Sequence, residues 1–200
     1  MRLYYVRHGL TDWNSAGRLQ GRHDVPLNDI GRVQAAQCGA ILRDLLACDG
    51  VTAAQCGYVS SPLVRARATM EIMRATLGLP SLGYGIDPRL AEISFGDWEG
   101  LTYAEVIARA ADVVARREAD KWNFRPPGGE TYQEVALRAG AWYATLERET
   151  IVAAHGGTAR ALIAWLKIEP PEAAVHHSID HGVVYVLEPK RLARYARAPI

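Results

Sequence analysis

Leu3-Tyr4-Tyr5-Val6-Arg7-His8-Gly9 is a short apolar run of strand-forming residues that ends abruptly in an arginine, a histidine and a glycine. Aromatic and β-branched residues favour extended backbone, and the glycine marks the exit of the strand. The same grammar recurs along the chain. Strand-like runs at residues 57–60, 150–154 and 183–187 punctuate long segments with helical periodicity. Residues 29–47 follow the N-cap candidate Asn28 and carry Ile30, Val33, Ala36, Ile41 and Leu45 at helix-compatible spacings. Residues 62–77 begin with Pro62 in the expected first turn and stop near Gly78. Residues 103–120 and 132–148 follow the capping-box patterns Thr102-x-x-Glu105 and Thr131-x-x-Glu134, and a last helix is expected from Ala159 to Leu166, ended by Pro170-Pro171.

Strands alternating with helices predict an α/β fold: a three-layer α/β/α sandwich around a mostly parallel sheet. Working residues in such sheets gather at the carboxyl ends of the strands. Arg7-His8-Gly9 follows the first strand. Ser60-Ser61-Pro62, leading into Arg65, follows the second, and His155-Gly156-Gly157 follows the third. Three distant stretches therefore deliver His8, Arg65 and His155 to one edge of one sheet.

Bulk properties exclude several alternatives. Two hundred residues with 49% hydrophobic and 22% charged content describe one globular domain, residues 1–200, with no linker or repeat. A net charge of +1 argues against nucleic acid as a partner. The opening residues read as neither a secretory signal nor a membrane anchor, so no membrane partner is expected. Cys38, Cys48 and Cys56 are odd in number and contain no C-x-x-C pair, which suits a reducing, cytoplasmic location. Monomer and homodimer stay equally open.

Two histidines and two arginines suit a small phosphorylated substrate. The planar forks of Arg7 and Arg65 would grip phosphate oxygens and offset charge in transfer. A neutral His8 could attack phosphorus, splitting one difficult hydrolysis into two easier steps through a phosphohistidine. Its other ring nitrogen then needs an acceptor to fix the tautomer. His155, if protonated, would add positive charge, and Gly9 and Gly156-Gly157 would offer N–H donors. The leaving oxygen needs a proton. Glu92 and Glu99 both lie in Leu90-Ala91-Glu92-Ile93-Ser94-Phe95-Gly96-Asp97-Trp98-Glu99-Gly100, an apolar and aromatic setting in which burial favours a protonated carboxyl. Spacing does not separate the two; Glu92 is the choice adopted.

The chain resembles the histidine phosphatase superfamily, also called the phosphoglycerate mutase-like family, collinearly and over nearly its whole length. Arg7-His8-Gly9-Leu10-Thr11-Asp12-Trp13-Asn14 is similar to the family's first motif, which implies that His8 is phosphorylated and Asn14 contacts phosphate. Gln20-Gly21-Arg22-His23-Asp24-Val25-Pro26-Leu27-Asn28 resembles the following loop, and Ser61-Pro62-Leu63-Val64-Arg65-Ala66 the second-arginine motif. Glu92 falls on the proton-donor position, and Pro127-Gly128-Gly129-Glu130 and His155-Gly156-Gly157 complete the series. The resemblance implies a metal-independent phosphomonoesterase with no cofactor, in which Arg7, Arg65, His155, Asn14 and Gly156 bind phosphate and His8, Glu92 and His155 carry the chemistry. It also implies that residues 101–130 cover the substrate. A phosphoglycerate mutase is the rival reading, and a non-catalytic phospho-ligand binder a second. The Phe95-Gly96-Asp97-Trp98-Glu99-Gly100 context and chain length look more like the phosphatases, including α-ribazole phosphatase and fructose-bisphosphatase-like branches. Leu10 and His181-Gly182 depart from the pattern, where acidic and small polar residues respectively are expected.

Other groups have less definite readings. Arg67 and Arg74 read as solvated helix charges. Trp13, Trp98 and Trp122 either line a pocket or pack in the core. Arg109, Arg116, Arg117, Lys121 and Arg125 form either a solvated face or a contact for an anionic substrate tail. His176-His177-x-x-x-His181 with Asp180 has metal-like spacing. No helix puts these side chains on one face and no remote ligand motif completes a site, so no metal is expected. One of these histidines rimming the phosphate pocket stays open.

Overall fold

The computed structural model describes residues 1–197, so the last three residues of the expected 1–200 domain lie outside the described residues. Six strands form one sheet: β1 (Leu3–Arg7), β2 (Gly57–Ser60), β3 (Gly85–Ile86), β4 (Thr150–Ala154), β5 (Val183–Glu188) and β6 (Arg191–Ala196). Their order is β3-β2-β4-β1-β5-β6. β1, β4, β2 and β3 run parallel, whereas β5 is antiparallel to β1 and β6 to β5. The helices are α1 (Asp12–Ser15), α2 (Asp29–Asp49), α3 (Val64–Thr76), α4 (Tyr103–Ala119), α5 (Tyr132–Tyr143), α6 (Gly156–Trp165) and α7 (Pro171–Ala174).

The alternation along β1 shows how the layers form. Leu3 and Tyr5 face a cluster built with α5 and α6, including Ala139, Trp142, Leu162 and Ile163. Tyr4 and Val6 face the opposite cluster, built with α2 and α3 through Cys38, Leu42, Met70 and Met73. With helices on both faces, a central strand is apolar on both sides, which is why it reads as a continuous run. The expected α/β/α sandwich is therefore the fold. Among the described residues no helix is long and apolar enough to cross a membrane.

The two strands that sequence reading did not anticipate are edges. β3 has only two residues, both exposed, and β6 (Arg-Leu-Ala-Arg-Tyr-Ala) carries arginines of the kind that guard an edge against further pairing.

Several boundaries also move. The buried face of α2 is Gly31, Ala35, Cys38, Gly39, Ile41, Leu42 and Leu46, whereas Ile30 and Val33 are exposed. α3 begins at Val64, not at Pro62. Leu63 provides no side-chain cap, and Asp24 from a separate loop accepts from Val64 N–H at 2.8 Å in its place. α5 stops at Tyr143, and α4 breaks at Ala110, where φ is −155° and ψ is 57°. α6 starts three residues before the expected Ala159, with His155 as N-cap, and Pro171 opens α7 after α6 has already ended. Both predicted capping boxes form as expected.

Arg74 is not a solvated charge. It is 7% exposed, donates to Pro80 O and Leu82 O, and lies 4.6 Å over the Tyr58 ring. Arg67 is exposed, as expected.

Candidate active site

β1 and β4 end side by side. His8 N–H donates to Ala154 O at 2.9 Å, extending the ladder one residue past β1 and setting His8 beside His155, with ring centroids 5.2 Å apart. His8, Arg65 and His155 are all buried. The strand-end rule thus brings together the three residues that the sequence pointed to.

The His8 ring has a readable tautomer. Its Nδ1 lies 2.8 Å from Gly9 O, which can only accept, so Nδ1 carries the proton. Nε2 keeps its lone pair and accepts from Arg65 Nε–H at 3.2 Å. Burial, then the Arg65 and Arg7 charges, hold the His8 pKa well below the usual imidazole range. The other Arg65 nitrogens donate to His23 O at 2.6 Å and Gly21 O at 2.8 Å, which ties the 20–24 loop to α3. Arg7 Nη1 donates to Ile179 O at 2.7 Å, while its buried Nε has no partner in the protein. Burial draws the Arg65 pKa down to about 10, still cationic at neutral pH.

His155 differs from expectation. Burial and the neighbouring Arg65 hold its pKa well below the ordinary value, so it is neutral and adds no positive charge. Its Nε2 lies 2.7 Å from Ser61 Oγ, which also accepts from Leu63 N–H. With that hydroxyl donating to Nε2, the imidazole proton sits on Nδ1, a buried atom with no partner in the protein. The backbone of His155 is clamped by Tyr5, whose hydroxyl donates to His155 O and accepts from His155 N–H.

Glu92 and Glu99 separate clearly. Glu92 lines a cavity of about 160 Å³ together with Arg7, His8, Asn14 and Arg65. Glu99 is turned away, accepting from Ser94 Oγ, Phe95 N–H and Arg22 N–H. The surroundings of Glu92 are nevertheless not the apolar, aromatic ones expected. Its carboxylate accepts backbone N–H groups of Ile93 (2.9 Å), Gly157 (3.2 Å) and Thr158 (3.2 Å), the last two in the first turn of α6. Gly157 is needed there because a Cβ would stand 2.4 Å from Glu92 Oε1. Gly157 thus spends its N–H on Glu92, and Gly9 donates to Thr69 Oγ1, so neither amide matches the expected phosphate donor. Gly156 lines the cavity. Asn14 does too, its Oδ1 accepting from Thr11 N–H and Oγ1, which leaves Nδ2 as the side chain's donor.

A family model for the histidine phosphatase superfamily (branch 1) matches residues 3–196. The chain belongs to the histidine phosphatase superfamily. It is 32% identical to the 2,3-bisphosphoglycerate-dependent phosphoglycerate mutase 2 of Gloeobacter violaceus, covering 93% of this chain and 84% of that one. It is 35% identical to the glucosyl-3-phosphoglycerate phosphatase of Mycobacterium tuberculosis, covering 82% and 74% respectively. Among solved structures, the native mycobacterial glucosyl-3-phosphoglycerate phosphatase superposes with a TM-score of 0.78 at 30% identity, over 92% of this chain and 88% of that one. A putative alpha-ribazole-5'-P phosphatase from Escherichia coli gives 0.77 at 30% identity, over 98% and 95%.

In this histidine phosphatase, the cavity has cationic lining that sequence reading missed. Arg18 and Arg160 join Arg7 and Arg65, with Gln20, Phe95 and Tyr132 completing much of the wall. Arg160 lies one helical turn beyond Gly156 and so on the same face of α6, a spacing signal visible in the sequence. The cluster singled out instead does not line this cavity: Arg125 pairs with Glu134, and Arg117 with Glu118. Lys121 is half-buried, and burial followed by Arg117 and Arg160 pushes its pKa down to about 8. None of Trp13, Trp98 and Trp122 lines this cavity: Trp13 tilts against His23, Trp98 stacks on Phe124, and Trp122 stacks on Tyr132 and lines a separate pocket with Leu137, Trp165 and Pro171. The 176–181 histidines do not converge. His177 pairs with Glu169, and His181 reaches the His8 backbone. Among the described residues no three His, Cys, Asp or Glu side chains group as metal ligands.

Two buried neutral imidazoles and the half-buried His181 make stability depend on pH. The pKa values of His8 and His155 lie well below 6.5 and that of His181 at about 4, whereas in the unfolded chain all three protonate near 6.5. Between those values the unfolded state binds more protons. Stability present above about pH 6.5 is therefore lost as the pH falls below it. Melts at about pH 7.5 and about pH 5 should differ by several degrees, with the lower midpoint at acid pH. Substituting His8 by alanine should shrink that difference.

Proposed function

We propose that this histidine phosphatase is a phosphomonoester hydrolase that acts without metal on a small phosphorylated metabolite through phospho-His8. The observation that carries this reading is the His8 ring. Its Nδ1–H is tied to Gly9 O, and its unprotonated Nε2, held by Arg65 Nε–H until a phosphate oxygen takes that donor, lies at a cavity walled by arginines, with the Glu92 carboxylate on the same wall.

The steps follow from those groups. Arg7, Arg65, Asn14 and the Nδ1–H of His155 bind the phosphate oxygens, and the arginines offset the charge that spreads over them in transfer. His8 Nε2 forms a bond to phosphorus as the phosphorus–oxygen bond to the leaving group breaks. Protonated Glu92 gives its proton to the departing alkoxide. The imidazolium charge of phospho-His8 is held at Nδ1–H by Gly9 O. Glu92, now a carboxylate, takes a proton from water; the oxygen attacks phosphorus, the nitrogen–phosphorus bond breaks, and inorganic phosphate leaves. A phospho-ligand binder would need the arginines but neither an unprotonated Nε2 nor a carboxylate beside it.

Residues 101–130 form the substrate cover in this proposal, since they pack in one cluster with Leu19 and Phe95, which line the cavity. The surplus of arginine over carboxylate in the cavity favours a substrate with more negative charge than one phosphate. Mutase activity is the second reading, favoured by the named mutases among the relatives. One experiment separates them: a panel of phosphorylated metabolites that includes 3-phosphoglycerate with 2,3-bisphosphoglycerate, scored for phosphoryl release to water or return to the sugar acid. Release to water with a rate unchanged by EDTA is expected. Return to the sugar acid would establish the mutase, and a clear loss with EDTA would overturn the metal-free mechanism.

A further inference from the structure

The nucleophile sits beside a glycine that packs closely on the start of α2. Position 9 must be glycine, because a Cβ there would lie 2.1 Å from Gly31 O where α2 begins. Glycine has the weakest torsional preference of any residue. The bond that fixes the tautomer of His8, Nδ1–H to Gly9 O, spans the link between these two residues. A rotation of the His8–Gly9 peptide would therefore disturb the ring's orientation, and with no side chain at position 9 the peptide is held by its packing and hydrogen bonds.

The peptide is restrained from outside on both its polar atoms. Gly9 N–H donates to Thr69 Oγ1 at 3.1 Å, and that hydroxyl donates in turn to Arg65 O at 2.8 Å. On the other side, His181 Nδ1–H donates to His8 O at 2.7 Å. The His181 ring also meets the His8 ring edge-on, with centroids 5.5 Å apart. The segment presenting His181 is itself anchored. Asp180 N–H donates to Tyr185 Oη at 2.8 Å, and the Asp180 carboxylate accepts from Ser178 Oγ and Arg194.

We propose that His181 is a positioning residue for the nucleophile: by holding the His8 carbonyl it fixes the His8–Gly9 peptide, and with it the ring orientation that points Nε2 into the cavity. The inference rests on His8 being the nucleophile, but it makes a structural claim that can be read without turnover. His181 touches neither phosphate nor leaving group in this role. Its Nδ1–H is what matters, and a neutral ring suffices.

The test compares His181→Asn, whose amide can donate from nearly the same place, with His181→Asp, which has the same shape but no donor. His181→Leu serves as a third, apolar variant. Two quantities are read in each and in the wild type: the protonation pattern of the His8 ring by nitrogen-15 NMR, and the rate of phosphoenzyme formation from para-nitrophenyl phosphate. In His181→Asn the single Nδ1–H tautomer and a rate within about threefold of wild type are expected. In His181→Asp and His181→Leu the ring should show mixed tautomers, and the rate should fall about 10- to 100-fold with KM little changed. A single tautomer and wild-type rates in either variant that folds would overturn the proposal. So would equal losses in His181→Asn and His181→Asp, which would mean that ring packing rather than the donor matters. Mixed tautomers in His181→Asp together with no phosphoenzyme in the wild type would support the positioning role and overturn the phosphohistidine mechanism instead.

Discussion

Substituting His8 by alanine should lower turnover of para-nitrophenyl phosphate by about 10⁴-fold or more, the scale on which loss of a covalent nucleophile is felt. The expectation is this large because no second nucleophile stands in reserve. His155 Nε2 is engaged with Ser61 Oγ, and the imidazole of His181 is committed to a backbone carbonyl. The variant should still bind phosphate, since Arg7 and Arg65 are held by Ile179, Gly21 and His23 as well as by the ring. Wild-type enzyme quenched during turnover should carry phosphate that acid removes and alkali does not, whereas an acyl phosphate is cleaved by alkali; His8→Ala should carry none. Retained activity, or an acid-stable label elsewhere, would end the mechanism.

The second large effect is selective. Glu92→Gln keeps the side-chain shape but provides no proton. Alkyl phosphates, whose leaving oxygen is strongly basic, should slow by about 10²- to 10⁴-fold. Para-nitrophenyl phosphate, whose leaving group departs without help, should slow far less. The gap between the two substrates is the measured quantity. Equal losses on both would move the acid role away from Glu92, and Glu99 is a poor heir because its oxygens are occupied by Ser94, Phe95 and Arg22. The variant also tests the unexpected setting of Glu92. Three backbone N–H groups suit a carboxylate, and the amide of glutamine can accept from them with only one atom. A modest stability loss, on the order of 1–3 kcal/mol by denaturant unfolding, should accompany the kinetic effect.

Much of this molecule was legible before any coordinates. β1, β4 and β5 read correctly because each is buried on both faces, which favours a run of mostly apolar, strand-forming residues between polar turns. The helix starts at Tyr103 and Tyr132 read correctly because a capping box is local: Thr102 and Glu105, or Thr131 and Glu134, find each other within one turn. Errors came where local signals were overridden from a distance. Pro62 was a reasonable first-turn residue, yet Asp24, far away in sequence, caps α3 at Val64. The last helix is expected only from Ala159, yet it starts at Gly156, where the Glu92 carboxylate, far away in sequence, occupies the free amides of Gly157 and Thr158. Arg74 read as a surface charge because nothing nearby in sequence announces the Pro80 and Leu82 carbonyls and the Tyr58 ring that hold it.

By itself, then, the sequence determined which residues end the parallel strands, and so that His8, Arg65 and His155 would share one sheet edge. That follows from chain connectivity and hydrophobic periodicity alone. Only the tertiary structure decided what each of them is. It made His155 neutral, because burial beside Arg65 opposes a second positive charge. It separated Glu92 from Glu99 in space, turning one carboxylate toward the cavity and the other into a loop. It brought Arg18 to the cavity and set His181 against the His8 backbone, because proximity between elements far apart in the chain leaves no periodic trace. Protonation and orientation depend on the field and the hydrogen-bond partners around an atom, and those exist only once the chain has folded.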